Sequence, residues 1–279
     1  MVYLDFYGFV KPPFEMTPDP AFLYLSETHR EGLATLVYGV RARKGFVLLT
    51  GEVGTGKTTL LHALLAQLDP DTASAFIFNP LLDPMDFFRV LFDEYGIETP
   101  CRTKADYLLT LNRFLIRRLE KDQPALLIVD EAQNLSPELL EEIRLLSNLE
   151  TPTSKLIQIM LVGQPELNDM LARPELRQLR QRIVLRHHLR PFDEKEMRKY
   201  VEERLRTAGY TGKALFKRPA LAEIYTQTGG TPRLVNILCD SALLLGYARQ
   251  LRSLGRAEIR KVAEELRLKR EVSHESSGR

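Results

Sequence analysis

Residues Gly51 to Thr58 read GEVGTGKT, a run suited to holding a polyphosphate. The glycines at 51, 54 and 56 let the backbone curl so that successive N–H groups point at one anion. Lys57 adds a charge for the β and γ phosphates, and the Thr58 hydroxyl adds an oxygen ligand for Mg²⁺. The pattern GxxxxGK[ST] is matched in full, with Glu52, Val53 and Thr55 in the variable positions and Thr59 following. A second constellation, ALLIVDEAQ from Ala125 to Gln133, ends an apolar run in two adjacent acids. Asp130 there suits Mg²⁺, held through water, and Glu131 suits the water that attacks a phosphoryl group.

Three further positions carry polar groups that such chemistry could use. IQIMLVGQPEL ends its apolar run in Gln164, either an amide that senses a γ phosphate or a turn residue before Pro165. RPELRQLRQRIVL crowds Arg177, Arg180 and Arg182 into a turn before the last strand. Arginine stabilises the charge of phosphoryl transfer when a neighbouring subunit supplies it, although Arg177 reads best as part of a solvated face. GGTPRLVN sets Arg233 just after Pro232, in the first turn of a helix, where a guanidinium can reach back over phosphates.

These residues need elements to position them. Short continuous apolar runs at Phe46–Thr50, Ala75–Asn79, Ala125–Asp130, Ile157–Gly163 and, more weakly, Arg182–Leu189 read as buried strands. Amphipathic helical patterns alternate with them, which predicts a parallel sheet covered on both faces. The phosphate loop leaves the first strand and opens the helix TTLLHALLAQL, the context that its chemistry requires. Residues before 26, with PPFEMTPDPAFLYL, predict an extended strap rather than a regular element. Ser26 then caps a helix carrying Leu33, Leu36, Val37 and Val40. After Pro191 only helical patterns remain. The expected organisation is a nucleotide-binding domain over 1–190 that includes the strap, a helical lid over 191–270 and a disordered tail over 271–279.

Composition narrows the class without choosing a partner. The 279 residues are 44% hydrophobic and 27% charged, which supplies a core and excludes disorder as the main state. With 39 Lys and Arg against 37 Asp and Glu, the net charge is +2, too little for a global field that selects nucleic acid or membrane. Acids gather around the second motif and arginines from Arg173 onward, so the near-neutrality is a cancellation. Cys101 and Cys239 have neither disulfide-framework nor zinc-site spacing and read as buried thiols. The apolar stretch ILCDSALLLGYA is short and carries Asp240, which favours a buried helix over a membrane span. No export signal is legible at the N-terminus, and a cytoplasmic location, peripheral at the inner membrane at most, is expected.

Taken in order, the phosphate loop, the Asp-Glu strand, the polar sensor strand, the arginine-bearing turn and the Gly-x-Pro-Arg helix resemble the AAA+ ATPases. The opening FYGFVKPPFEMTPDPAFLYLSETHREGLATLVYGV, followed by LLIVDEAQNLSPELLEEIRLLSNLET, QIMLVGQPEL, LRQRI and GGTPRLVN, is similar to the ExeA/GspA family of general secretion pathway ATPases, to about Arg249. The resemblance implies an α/β P-loop fold with a five-stranded parallel sheet and a C-terminal helical lid, and ATP-Mg²⁺ hydrolysis between subunits of a homo-oligomer. It makes Asp130 and Glu131 the Walker B pair, Gln164 sensor 1, Arg233 sensor 2 and Arg182 the arginine finger with Arg180 in reserve. Asn79 sits where many AAA+ proteins keep a polar residue that holds the catalytic glutamate off-line; a turn-starting Asn before Pro80 is the alternative. The strap either covers the adenine or packs only. Partners implied are secretion or pilus assembly proteins. Longer family members continue into a membrane segment and a peptidoglycan-binding domain, which are expected to be missing here. Basic runs in RQLRQRIVLRHHLR and RQLRSLGRAEIRKVAEELRLKR keep open a DNA-binding regulator related to transposition target-selection ATPases.

Overall fold

The computed structural model describes residues 2–16, 22–78 and 82–268. They form two compact units, one of residues Thr28–Val53 and Leu60–Leu189, the other of Met1–Glu27, Gly54–Thr59 and Arg190–Arg279.

The first unit is built on five parallel strands: β1 (Phe46–Gly51), β2 (Ala73–Ile77), β3 (Ala125–Val129), β4 (Gln158–Gly163) and β5 (Ile183–Leu189). Their spatial order is β2-β3-β4-β1-β5. Every residue of β1, β3 and β4 is buried, which is why these strands read as unbroken apolar runs rather than as alternating ones. The helices are α2 (Glu27–Arg41), α3 (Lys57–Gln67), α4 (Pro84–Glu94), α5 (Lys104–Glu120) and α6 (Pro137–Leu146), where α1 denotes the short helix Leu4–Tyr7 in the strap. Phe87, Phe88 and Leu91 of α4, Leu111 and Leu115 of α5, and Leu139 and Ile143 of α6 pack with Leu127, Val129, Ile159 and Leu161 into one core. Local signals set the helix starts: Asp83 accepts from two N–H groups of α4, Thr103 and Asp106 form a capping box on α5, and Ser136 caps α6 ahead of Pro137.

Two expectations for this unit need correction. The arginine-bearing segment is not a turn: after α7 (Glu166–Ala172), the helix α8 (Arg177–Arg182) lies there, because RQLRQR has no breaker and its Leu179 is buried. Cys101 is half-buried rather than buried, with its Sγ 3.8 Å from Thr110 Oγ1.

The second unit is helical, with α9 (Glu194–Thr207), α10 (Arg218–Thr228), α11 (Pro232–Ala248) and α12 (Arg256–Glu265). The strap falls in this unit together with Gly54–Thr59 of the phosphate loop, and it includes the short helix α1. Its Tyr3, Tyr7, Phe9 and Phe14 are buried in the same core as Met197, Leu238, Cys239 and Ile259. Arg204 of α9 ties it down: the buried guanidinium donates to the carbonyls of Pro13 and Glu15 and to the Tyr200 hydroxyl, and lies 4.6 Å from the Phe22 ring centroid. These rings are spent on packing. Asp240, the acid inside the apolar stretch, accepts from the Tyr3 hydroxyl, and the stretch is part of α11. Burial pushes the Cys239 thiol up from its ordinary value, so it acts as a small apolar core residue. Among the described residues no helix is long and apolar enough to cross a membrane. The expected tail, 271–279, lies outside the described residues.

Candidate active site

The phosphate loop leaves β1 at Gly51 and ends where Lys57 opens α3. Gly54 and Gly56 have φ of +78° and +102°, values that only glycine adopts without strain. Thr55 and Lys57 are buried, Glu52 is half-buried, and Val53, Thr58 and Thr59 are exposed. Gly54 has a second reason to lack a side chain. A Cβ there would stand 2.6 Å from the Arg233 Cβ.

Arg233 is the second residue of α11, after Pro232, and its N–H is one of the orphan donors of the helix start. That N–H donates to the Gly54 carbonyl at 3.2 Å, while the Arg233 side chain stays exposed. Helix α11 thus meets the phosphate loop through its backbone and leaves the Arg233 side chain exposed.

Asp130 and Glu131 follow β3 directly. Asp130 is buried, and its Oδ1 accepts from the Glu131 N–H at 2.9 Å. Glu131 has φ 51° and ψ 38°, a left-handed conformation that costs a non-glycine residue about 1–3 kcal/mol and persists only where surroundings enforce it. The enforcing groups are visible. Gln164 Nε2 and Gln133 Nε2 both donate to Glu131 Oε2, at 3.2 and 2.6 Å, and Gln133 Oε1 in turn accepts from the Gln164 N–H at 3.1 Å. The register explains the meeting. Val129 pairs with Leu161, so the residues just past the ends of the adjacent strands β3 and β4 come level with one another.

Gln133 has no place in the sequence reading. The available signal was a second amide two residues after the candidate base, together with a glycine, Gly163, just before Gln164. That glycine leaves room for the amide, since a Cβ on it would lie 2.6 Å from Gln133 Oε1.

The arginines separate. Arg182 NH1 donates to the Arg144 carbonyl at 2.9 Å and to Ser147 Oγ, so its guanidinium is committed to the C-terminal end of α6, where cations are favoured. Arg180 and Arg177 are exposed. Asn79 lies outside the described residues.

Whether these residues fit ATP and Mg²⁺ can be judged from their donors. The loop offers N–H groups and an ammonium to phosphate oxygens, and its glycine positions are ones that a Cβ would strain or block. A hydroxyl and a carboxylate, Thr58 and Asp130, are hard oxygen ligands of the kind Mg²⁺ takes alongside phosphate and water. Among the described residues no cluster of three or more His, Cys, Asp or Glu could hold a metal on its own.

Residues 40–171 match the AAA domain family. General secretion pathway protein A of Aeromonas hydrophila is 45% identical over 249 residues, which is 89% of this chain and 45% of that protein; the chain spans less than half the length of this curated relative. Among solved structures, Cdc6p from Pyrobaculum aerophilum superposes with a TM-score of 0.69 at 19% identity, over 91% of this chain and 70% of that one. The Aeropyrum pernix ORC2 protein, in its ADPNP-ADP complexes, gives 0.66 at 18% over 91% and 71%. The Thermotoga maritima RuvB branch migration motor gives 0.57 at 18% over 86% and 69%. At these identities the likeness is one of fold. With the five-stranded parallel sheet, the phosphate loop and the Asp-Glu strand end in place, the chain has the fold of these structures, its residues 40–171 match the AAA domain family, and over 249 residues it is similar to general secretion pathway protein A.

Proposed function

We propose that this chain binds ATP with Mg²⁺ and hydrolyses it at the interfaces of a homo-oligomer, and that the cycle serves assembly of a secretion or pilus apparatus. The observation that carries the hydrolysis reading is the Glu131 carboxylate. It is held in a strained backbone at the end of β3, with both described side-chain donors on the same oxygen. That leaves Oε1 to take a proton from water, the task of a general base. Thr58 and Asp130 would hold Mg²⁺, which would supply charge neutralisation at the phosphates, while Lys57 and the loop N–H groups would hold the nucleotide. The secretion role is supported by the 45% identity to general secretion pathway protein A. For the charge supplied by a neighbouring subunit, Arg180 is the better assignment than Arg182, because it is exposed while Arg182 is engaged at α6. Arg233 is the guanidinium offered by the lid.

Mass measurement and turnover of Glu131→Gln test this reading. The wild-type chain is expected to hydrolyse ATP; the variant should bind it, assemble to a higher mass only when ATP is present, and turn over about 100-fold or more slowly. Wild-type turnover retained in Glu131→Gln would overturn the assignment. A DNA arm in the same measurement addresses the regulator alternative: assembly or turnover stimulated by DNA, and weakening steeply with salt, would move the function away from secretion.

A further inference from the structure

We propose that Gln133 is a positioning residue for ATP hydrolysis, acting through Glu131; this rests on the hydrolysis reading above. A glutamate side chain has three rotatable bonds, and one amide donor at 3.2 Å, that from Gln164, fixes the oxygen it touches without fixing the carboxylate plane. Gln133 supplies the second constraint. Its Nε2 lies 2.6 Å from the same Oε2, so the two amides bracket that oxygen and turn the other outward. Gln133 is itself held, since its Oε1 accepts from the Gln164 backbone N–H at 3.1 Å. The three side chains and one backbone group close a ring that ties the end of β3 to the end of β4, so the carboxylate orientation is set by the sheet rather than by the loop alone.

Gly163 completes the device. Its missing Cβ leaves the volume that Gln133 Oε1 fills, and a methyl group there would stand 2.6 Å from that oxygen and 2.9 Å from Leu167 Cδ2. The adjacent Ala132 is fully buried and sits in a 3₁₀ turn, which carries Gln133 back toward the acid two residues earlier. Glu131 supplies the strained backbone, Gln133 the local amide and Gln164 the long-range one.

The experiment compares single-turnover hydrolysis and ATP binding in the full chain for wild type, Gln133→Met, Gly163→Ala, Glu131→Gln and the double variant Glu131→Gln with Gln133→Met. Methionine keeps the length and removes the donor. Both Gln133→Met and Gly163→Ala should lower kcat about 10- to 100-fold, the cost of misplacing a reacting group by about an ångström, with KM and ATP affinity close to wild type; the melting temperature should stay close to wild type in Gln133→Met and fall in Gly163→Ala, whose methyl crowds the buried Leu167. The double variant should be no slower than Glu131→Gln alone, because Gln133 then has no carboxylate to orient. An unchanged or raised kcat in a folded Gln133→Met overturns the proposal, as does a further loss in the double variant. If Gln133→Met does not fold, Gly163→Ala decides by the same readings. A wild-type chain without turnover overturns the hydrolysis reading and this role together; turnover that Lys57→Ala abolishes but Gln133→Met leaves intact overturns this role alone.

Discussion

In the phosphate loop, shape comes from glycines within the motif itself: Gly54 and Gly56 adopt positive φ, and Lys57 begins a helix immediately afterwards. Around Glu131, shape comes from Gln164, 33 positions away, whose side chain and backbone N–H reach back to Glu131 and Gln133. Under the proposed function the two regions would divide the chemistry of phosphoryl transfer in a way that suits their construction. Binding a polyphosphate needs many weak donors in a fixed curl, which backbone geometry supplies locally. Orienting a general base needs one carboxylate held in one rotamer, and that takes side chains delivered by separate strands. A locally built region should fail when its own backbone is disturbed, and a remotely built one when a distant partner is removed.

The largest effect is expected where the local region is broken at its centre. In Gly54→Ala the new Cβ meets the Arg233 Cβ at 2.6 Å at a position with φ +78°. The left-handed conformation alone costs an L-residue roughly 1–2 kcal/mol, and the collision adds to it. ATP affinity should fall by about tenfold or more, and titration with a fluorescent nucleotide checks it. Affinity close to wild type would show that the loop tolerates a side chain and that its curl is not the local device described.

The helix α6, which follows the Glu131 loop, carries the same contrast at its two ends and gives a second test. Its N-terminal end is capped by Ser136, the residue just before it; its C-terminal end is held by Arg182, 38 positions beyond Arg144. Arg182→Ala should leave the Arg144 carbonyl and the Ser147 hydroxyl without that donor and cost about 1–3 kcal/mol, seen as a lowered melting temperature. Arg180→Ala should leave the melting temperature alone and lower turnover only in the assembled protein. The opposite pattern, with Arg182→Ala stable but inactive, would return the finger role to Arg182.

How far the sequence discloses the molecule follows the same division. The strands of the sheet and the phosphate loop are legible because each is encoded within a few residues: an apolar run or a glycine pattern. The placement of Asp130, Glu131 and Gln164 at strand ends is legible for the same reason. Helix α8 is hidden because arginines and glutamines carry little hydrophobic period, and only Leu179 marks its buried side. The strap's rings read equally well as cover for an adenine or as core, and the burial of Tyr3, Tyr7, Phe9 and Phe14 beside α9 and α11 shows the packing role of those four. Gln133 is hidden because its partners are fixed by the register of β3 against β4, which no local pattern states. Arg182 looks like a free cation until Ser147 and the Arg144 carbonyl are in view.

The smallest expected effect sharpens the comparison from the local side. Ser136 Oγ accepts from the Leu139 N–H at 3.2 Å, and Pro137 already removes one of the orphan donors of the helix start. Ser136→Ala should therefore cost about 1 kcal/mol, a melting shift of about 2–4 °C in a chain of this size, and should leave ATP affinity unchanged. Its effect on turnover is the informative quantity. The capped turn lies three residues after Gln133, and if the amide ring is anchored by β4 rather than by α6, fraying the start of α6 leaves kcat within about twofold of wild type, the margin a loss of a few tenths of a kcal/mol allows. A drop of tenfold or more in a variant so little destabilised would show that the Glu131 loop takes its shape from the helix that follows it. The contrast between a locally built phosphate loop and a remotely built base would then have to be redrawn with both regions local.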